Sequence, residues 1–332
     1  MRIADMHCDT MGRIHLDGQC LKENKYHVDL QKMIKADYLV QNFAMFIDSR
    51  SVESPFKAAV EMIDTYEREI EKNRAYIRKA LSFRDIVDNQ ADGKMSAVLT
   101  LEEGAVLEGK LSYLRTFYRM GVRMMTLTWN YENEIGVCNL IKDGEGRPLF
   151  RERNPKGLTT FGTEAVCEME RLGMIVDVSH LSDGGFWDVA KHTKKPFVAS
   201  HSNAAAVCDV CRNLTDDMIR CLGDRGGVMG LNFCGAFLTQ PDSWEKDPDS
   251  TVEAIVRHAR HIVNTGGIDV CALGTDFDGI PDNLEISDAG KMGMLVMALE
   301  KDGFTAEEIE KICYKNVMRV YREVLHEQGT EE

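Results

Sequence analysis

Eight apolar, β-branched runs separated by stretches of helical periodicity predict an α/β fold, a (β/α)8 TIM barrel, for this 332-residue chain. The runs lie near residues 2–9, 38–47, 96–102, 124–129, 173–179, 196–201, 227–233 and 269–275. A second observation agrees with the count. His7, Asp9, Glu102, His180 and His201 all fall at the end of a run or within its last few residues, and barrels of this kind draw their reacting groups from the C-terminal ends of several strands. Thirdly, no Pro/Gly/Ser-rich linker divides the chain, so one domain spanning residues 1–332 is expected. An open doubly wound sheet is the competing architecture. Against it, Gly223-Asp-Arg-Gly226-Gly227 precedes a strand instead of opening a helix, and no Gly-rich dinucleotide fingerprint is present.

The helical patterns follow in order. The first covers 55–80, with Phe56, Ala59, Met62, Ile63, Tyr66 and Ile70 on one face; others cover 110–120, 160–172, 184–193, 214–224 and 251–265. Extra helices near 288–301 and 305–327 end the chain. Residues 10–37 are polar and irregular and carry no firm assignment. The connection from Asn130 to Lys156, with Lys142-Asp-Gly-Glu-Gly-Arg-Pro148 at its centre, is a loop insertion that reads either as a hairpin over the barrel mouth or as a surface excursion.

Composition excludes several partners. A hydrophobic content of 44% supports a large core, and a net charge of -14 argues against nucleic acid and anionic membranes, which need clustered Lys and Arg. The N-terminus enters a strand pattern without a basic, then apolar, leader; no apolar run approaches the ~20 residues of a membrane span; and the last six residues do not resemble a lipid-anchor signal. A cytoplasmic protein is expected. Ten cysteines spread through the chain read as reduced thiols, and Cys208-Asp-Val-Cys211, although it has redox or zinc spacing, lacks a second such pair.

The ligand pattern is that of a two-metal hydrolytic site. In Asp5-Met-His7-Cys-Asp9 the His and Asp are two apart, so on a strand both point to one face. Either Glu102 or Glu103 can offer two oxygens to two ions; residue type alone gives them nearly equal claims. Imidazole and carboxylate together suit a borderline ion such as zinc, and Mn2+ or Co2+ can share the same ligands. His258 and His261, three apart on a helix, read as helix-surface and supporting residues rather than a third metal site, whereas His15, His192 and His326 read as ordinary surface or loop residues. Asp276-Phe-Asp278-Gly279 is equally good turn chemistry and catalytic chemistry.

Taken in sequence, Asp5-Met-His7-Cys-Asp9, Leu101-Glu-Glu-Gly104, Leu127-Thr-Trp-Asn130, Gly157-Leu-Thr-Thr-Phe-Gly162, Asp177-Val-Ser-His-Leu-Ser182, Ser200-His-Ser202, Cys211-Arg-Asn213 and Gly274-Thr-Asp-Phe-Asp-Gly279 resemble the membrane dipeptidase (renal dipeptidase) family of zinc peptidases, within the metal-dependent amidohydrolase barrels. The resemblance covers nearly the whole chain and turns on a His-x-Asp start. It implies two Zn2+ per chain, one on His7 and Asp9, one on His180 and His201, with Glu102 bridging. Two cations ~3.5–4 Å apart need an anionic bridge, and a hydroxide shared by both is a nucleophile at neutral pH. It further implies Asp276 as the catalytic acid/base and Arg212 as the clamp on the substrate's C-terminal carboxylate, for which a planar guanidinium offers two parallel hydrogen bonds.

One departure stands out. Where mammalian members place a substrate-polarising His, this chain has Trp129, whose indole donates one hydrogen bond but carries no proton. Trp129 and Asn130 are therefore expected at the substrate, with Asn130 a candidate for the vacated role. The function implied is hydrolysis of dipeptides, with tolerance for a C-terminal D-residue, by a homodimer. Two alternatives stay open: the same metals cleaving an N-acyl amino acid, lactam or cyclic amide, or a non-catalytic binding protein on the barrel.

Overall fold

Parallel pairing carries the chain once around a closed barrel in the computed structural model, which describes residues 1–240 and 248–326. The barrel strands are β1 (Ile3–Asp5), β2 (Tyr38–Phe46), β3 (Met95–Glu102), β4 (Val122–Thr126), β5 (Ile175–Asp177), β6 (Val198–Ala199), β7 (Val228–Leu231) and β8 (Cys271–Leu273). Their order is β2-β1-β8-β7-β6-β5-β4-β3, and β2 pairs with β3 to close the ring. Each predicted run overlaps one of these strands. Several are shorter than their runs because the chain leaves the sheet just where the site begins.

The period-2 pattern divides the strands into two faces. Ala4, Val40, Val98, Met124, Ile175, Val198, Val228 and Ala272, one from every strand, fill the barrel as a single apolar layer. The alternating set, including Ile3, Leu99, Met125, Val176 and Met229, packs outward against the helices. At the N-terminal end the helix Asn316–Val324 inserts Val317, Val320, Tyr321 and Val324 into the inner layer. There the Tyr321 hydroxyl donates to Asn42 Oδ1 at 2.6 Å. One end of the barrel is thus stoppered with apolar side chains, leaving the other for polar chemistry.

Sequence and structure differ in four places. The helix expected over 55–80 stops at Lys72, where Asn73 Nδ2 donates back to Glu69 O, and Ile77–Lys79 becomes a short strand on the edge of β3. A helix at Phe83–Ala91 was not anticipated, although Ser82 and Asp85 form the reciprocal capping box that marks a helix start. Residues 10–37 contain helices Thr10–Asp17 and Leu30–Lys35, joined by a loop that Asn24 Nδ2 ties to Cys20 O and Val28 O. Side-chain-to-backbone bonds order this segment, so it leaves no apolar period to read. The terminal pattern over 305–327 is helical at Ala306–Glu310 and Asn316–Val324 with a π turn, Lys311–Lys315, between them; residues 327–332, which hold the end of that pattern, lie outside the described residues.

The long connection does form a hairpin, Ile141–Lys142 against Pro148–Leu149. Phe150 O accepts from Cys211 N at 2.6 Å and His180 O accepts from Asn139 N at 2.7 Å, which fixes the hairpin's base beside the loops that follow β5 and β6. Among the described residues no helix is long and apolar enough to cross a membrane.

Candidate metal centre

Beyond β1 the pairing with the β8 side continues as single bonds: Asp276 N donates to His7 O at 3.2 Å and Asp9 N to Phe277 O at 2.9 Å. This stitching brings His7, Asp9 and Asp276 to the centre of the mouth. Asp5, fully buried at the end of β1, supports it by accepting from Thr275 N (2.9 Å), Thr275 Oγ1 (2.8 Å) and His7 N (3.3 Å). Asp276 and Asp278 both adopt positive φ, 63° and 71°, and their turn is held by Thr10 Oγ1 donating to Asp278 Oδ2 and His27 N donating to Asp278 Oδ1 at 2.7 Å. A side chain at Gly279 would collide with the Asp9 and Asp276 carboxylates, so only glycine lets the turn pass this close.

The ambiguity between Glu102 and Glu103 is resolved by position. Glu102 ends β3 pointing inward, with Oε2 3.3 Å from His7 Nε2 and Oε1 3.2 Å and 3.5 Å from His180 Nε2 and His201 Nε2. Glu103, at φ 93°, turns away and accepts from Ala105 N, Asn133 Nδ2 and Trp129 N. It organises the loop bearing Trp129. Asp9 Oδ2 lies 3.4 Å and Asp276 Oδ1 3.8 Å from His7 Nε2. Among the described residues three groups have donor atoms close enough to hold an ion: His7, Asp9 and Glu102; Glu102, His180 and His201; and His7, His201 and Asp276.

Proton counting tests whether a cation fits. Asn130 Oδ1 can only accept, so the 3.1 Å contact with His180 Nδ1 requires a proton on that nitrogen. Ser200 Oγ spends its proton on Asp177 Oδ2 at 2.5 Å, so His201 Nδ1, 2.7 Å from the same Oγ, must also be the donor. In the neutral imidazoles both Nε2 atoms are then bare lone pairs, 3.1 Å apart and facing Glu102 Oε1. Three acceptors converge with no proton between them, an arrangement that a divalent cation stabilises. His7 Nε2 and Asp9 Oδ1, both buried without a hydrogen-bond partner among the described residues, fit a cation on the other side of Glu102.

Without an ion, the site's charges strain against burial. Burial drives His180 down to about 4, helped by the Arg212 charge, and holds His201 well below its ordinary value, helped by His7 and Arg212. For His7 the burial effect is overcome by Glu102 and Asp9, which hold it well above its usual value; burial of Glu102 is likewise outweighed by the His7 charge and by its close contacts with the other two imidazoles, which hold it well below. Asp276 is pushed up to about 7 by burial, partly offset by His7 and reinforced by Asp9 and Glu102. Its Oδ2 accepts from Asn232 Nδ2 at 2.8 Å.

Arg212 is buried beside the centre. Its Nη1 donates to Ser202 Oγ at 2.8 Å while Nε and Nη2 have no partner among the described residues, leaving two unused donors of a rigid fork. Trp129 is half-buried, its ring 6.4 Å from that of His180 and edge-on to Phe46 at 4.7 Å. Asn130, expected at the substrate, accepts from His180 Nδ1 through its carbonyl oxygen. Of the remaining histidines, His258 bridges Ala204 N and Leu238 O and His261 pairs with Asp216, so neither is free for a metal.

Several contributors carried no role in the sequence reading. Asp177 joins three strand ends by accepting from Thr126 Oγ1, Ser179 N, Ser200 N and Ser200 Oγ, and Asn232 holds Asp276. The only sequence signal was an Asp two or three residues before a ligand, in Asp5-x-His7 and Asp177-x-x-His180.

Comparison with known proteins supplies the lineage. The model for membrane dipeptidases, peptidase family M19, matches residues 1–331. An uncharacterised dipeptidase of Schizosaccharomyces pombe is 32% identical over 309 residues, covering 89% of this chain and 72% of that protein. A crystal structure of a metallo peptidase dipeptidase of family M19 superposes with a TM-score of 0.87 at 26% identity, covering 98% of this chain and 99% of that one. A metallo peptidase from Rhodobacter sphaeroides, solved with a phosphinate mimic of the dipeptide L-Ala-D-Ala, shares the fold with a TM-score of 0.86 at 24% identity over 98% of this chain and 99% of its own. The chain therefore belongs to the membrane dipeptidase family and is a metal-dependent hydrolase of peptide bonds.

Proposed function

We propose that this chain is a binuclear zinc dipeptidase, built as one barrel domain, that tolerates a D-residue at the C-terminal position of its substrate. The observation that carries the proposal is the convergence of bare imidazole nitrogens and carboxylates on the two oxygens of Glu102. His7 and Asp9 would hold one ion, His180 and His201 the other, with Glu102 shared. Bound ions would polarise the peptide carbonyl and lower the pKa of water.

The protein's own groups do the rest. Arg212 offers Nε and Nη2 to the substrate carboxylate and so fixes which amide lies over the centre. Asp276, held by Asn232, takes a proton from water and delivers it to the leaving amine, since one carboxylate within reach of both can serve in turn. Asn130 and the Ser200–Asp177 pair keep the two imidazoles aimed inward. Tolerance for a D-residue is supported by the L-Ala-D-Ala mimic bound to the Rhodobacter sphaeroides protein. Homodimer formation rests on family resemblance, and sedimentation at several concentrations tests it.

The deciding experiment measures metal per chain in gently purified protein together with hydrolysis of L-Ala-L-Ala and L-Ala-D-Ala before and after chelation. About two ions per chain and chelator-sensitive cleavage of both are expected. Two ions without cleavage of any dipeptide would redirect the search to N-acyl amino acids and lactams, and failure to take up zinc would overturn the ligand assignment.

A further inference from the structure

Arg212 follows β6, whereas Phe46 ends β2. In the ring order β2-β1-β8-β7-β6-β5-β4-β3 these strands are four steps apart in either direction, so they face each other across the mouth. A dipeptide whose C-terminal carboxylate is gripped by Arg212 must then extend its N-terminal residue toward the β2–β4 side. That side is an aromatic wall: Trp129 packs edge-on against Phe46 at 4.7 Å and against Tyr131 at 5.2 Å.

The wall is rimmed by positive charge. The Arg50 guanidinium lies 3.9 Å from the Tyr131 ring centre, and Lys142 Nζ, on the hairpin, lies 5.7 Å from it. Neither has a carboxylate within ion-pair distance among the described residues. Asp48 accepts from the Arg50 amide, not from its guanidinium. Both cations are exposed and lie against the same ring, and in a chain with 54 acidic against 40 basic residues acidic partners are plentiful, yet neither takes one among the described residues. Without one, both charges are left available to an anionic group beside the expected position of the N-terminal side chain.

Resting on the dipeptidase reading above, we infer that Phe46, Trp129 and Tyr131 with Arg50 and Lys142 form the subsite for the substrate's N-terminal residue and select an acidic side chain there. The stem of such a side chain lies on the aromatic faces while its carboxylate meets the two cations. Trp129 thereby acts as a specificity residue, not as a proton carrier.

The test compares kcat/KM of the zinc-loaded full chain for L-Glu-L-Ala and its isostere L-Gln-L-Ala, with L-Lys-L-Ala and L-Ala-L-Ala alongside. A Glu-over-Gln ratio of about five to ten is expected for partly exposed charge pairs. The ratio should fall toward one in the Arg50→Gln/Lys142→Gln double variant and with added salt. Because it is taken within each enzyme, partial misfolding cancels. A wild-type ratio of one or less, a ratio unchanged by the double substitution, or a preference for L-Lys-L-Ala would overturn the subsite while leaving the dipeptidase reading in place. If none of the four peptides is cleaved, the dipeptidase reading falls and this inference falls with it.

Discussion

The two halves of the centre, on either side of Glu102, hold their side chains by different means. On the β5–β6 side each imidazole is anchored at its own Nδ1, His180 by Asn130 and His201 by Ser200, which Asp177 fixes in turn. On the β1 side His7 Nδ1 has no partner among the described residues, and its order comes through its own main chain: the Asp5 carboxylate accepts from His7 N, His7 O accepts from Asp276 N, and Phe277 O accepts from Asp9 N. One half is aimed side chain by side chain; the other is set by the register of β1 against the β8 loop. Side-chain substitutions should therefore discriminate between the halves, since only on the β5–β6 side are the imidazole rings themselves aimed by replaceable outer hydrogen bonds.

Glu102 is common to both halves, so Glu102→Gln should have the largest effect. We expect kcat/KM to fall by about a thousandfold or more, with metal per chain dropping below two. Loss of one ion with the other retained would show that the halves bind independently of the bridge. Asp276→Asn should come next, lowering kcat by about 10²–10⁴-fold with metal content unchanged. Asp276 also lies within reach of His7 and His201. Metal lost along with activity would make Asp276 a ligand instead of the proton carrier.

A smaller and more selective effect is expected from Asn130→Ala. Freed of its Nδ1 partner, His180 can rotate or take the other tautomer, and affinity for one of the two ions should weaken by about 10–100-fold while the other is unaffected. Competition with a graded chelator reads this as one displaced and one unshifted transition. Two equally shifted transitions would break the distinction between the halves.

How much of this was legible beforehand follows from the range of the interactions. The barrel was readable because period-2 strands and 3.6-period helices are local patterns, and the runs ended at the residues with metal chemistry. Glu102 and Glu103 are neighbours of the same type, and only the turn at φ 93° separates the one aimed at His7 from the one that accepts from Trp129 N. Asn130 acts on a histidine 50 residues away, and Thr10 on an aspartate 268 residues away, so nothing adjacent in sequence announces either. The helices at 10–17 and 30–35 were missed for a related reason. Their segment earns its order by hydrogen bonds to the Asp276 turn, and such bonds leave no periodicity.

That last contact gives the mildest test of the β1 half. Thr10, the first residue of its helix, donates to Asp278 Oδ2, and Asp278 Oδ1 accepts from His27 N; both bonds are buried and together they clamp the turn that carries Asp276. Thr10→Ala removes one donor to a carboxylate and leaves the other, so a stability loss of about 1–3 kcal/mol is expected, read as a lower denaturant midpoint at unchanged slope. Because backbone register, not this hydroxyl, sets His7 and Asp9, both ions should stay bound. The turn, however, relaxes at Asp276, and kcat should fall several-fold with KM little changed. Metal lost from the variant at neutral pH would mean that the β1 half depends on side-chain anchors as much as its neighbour does.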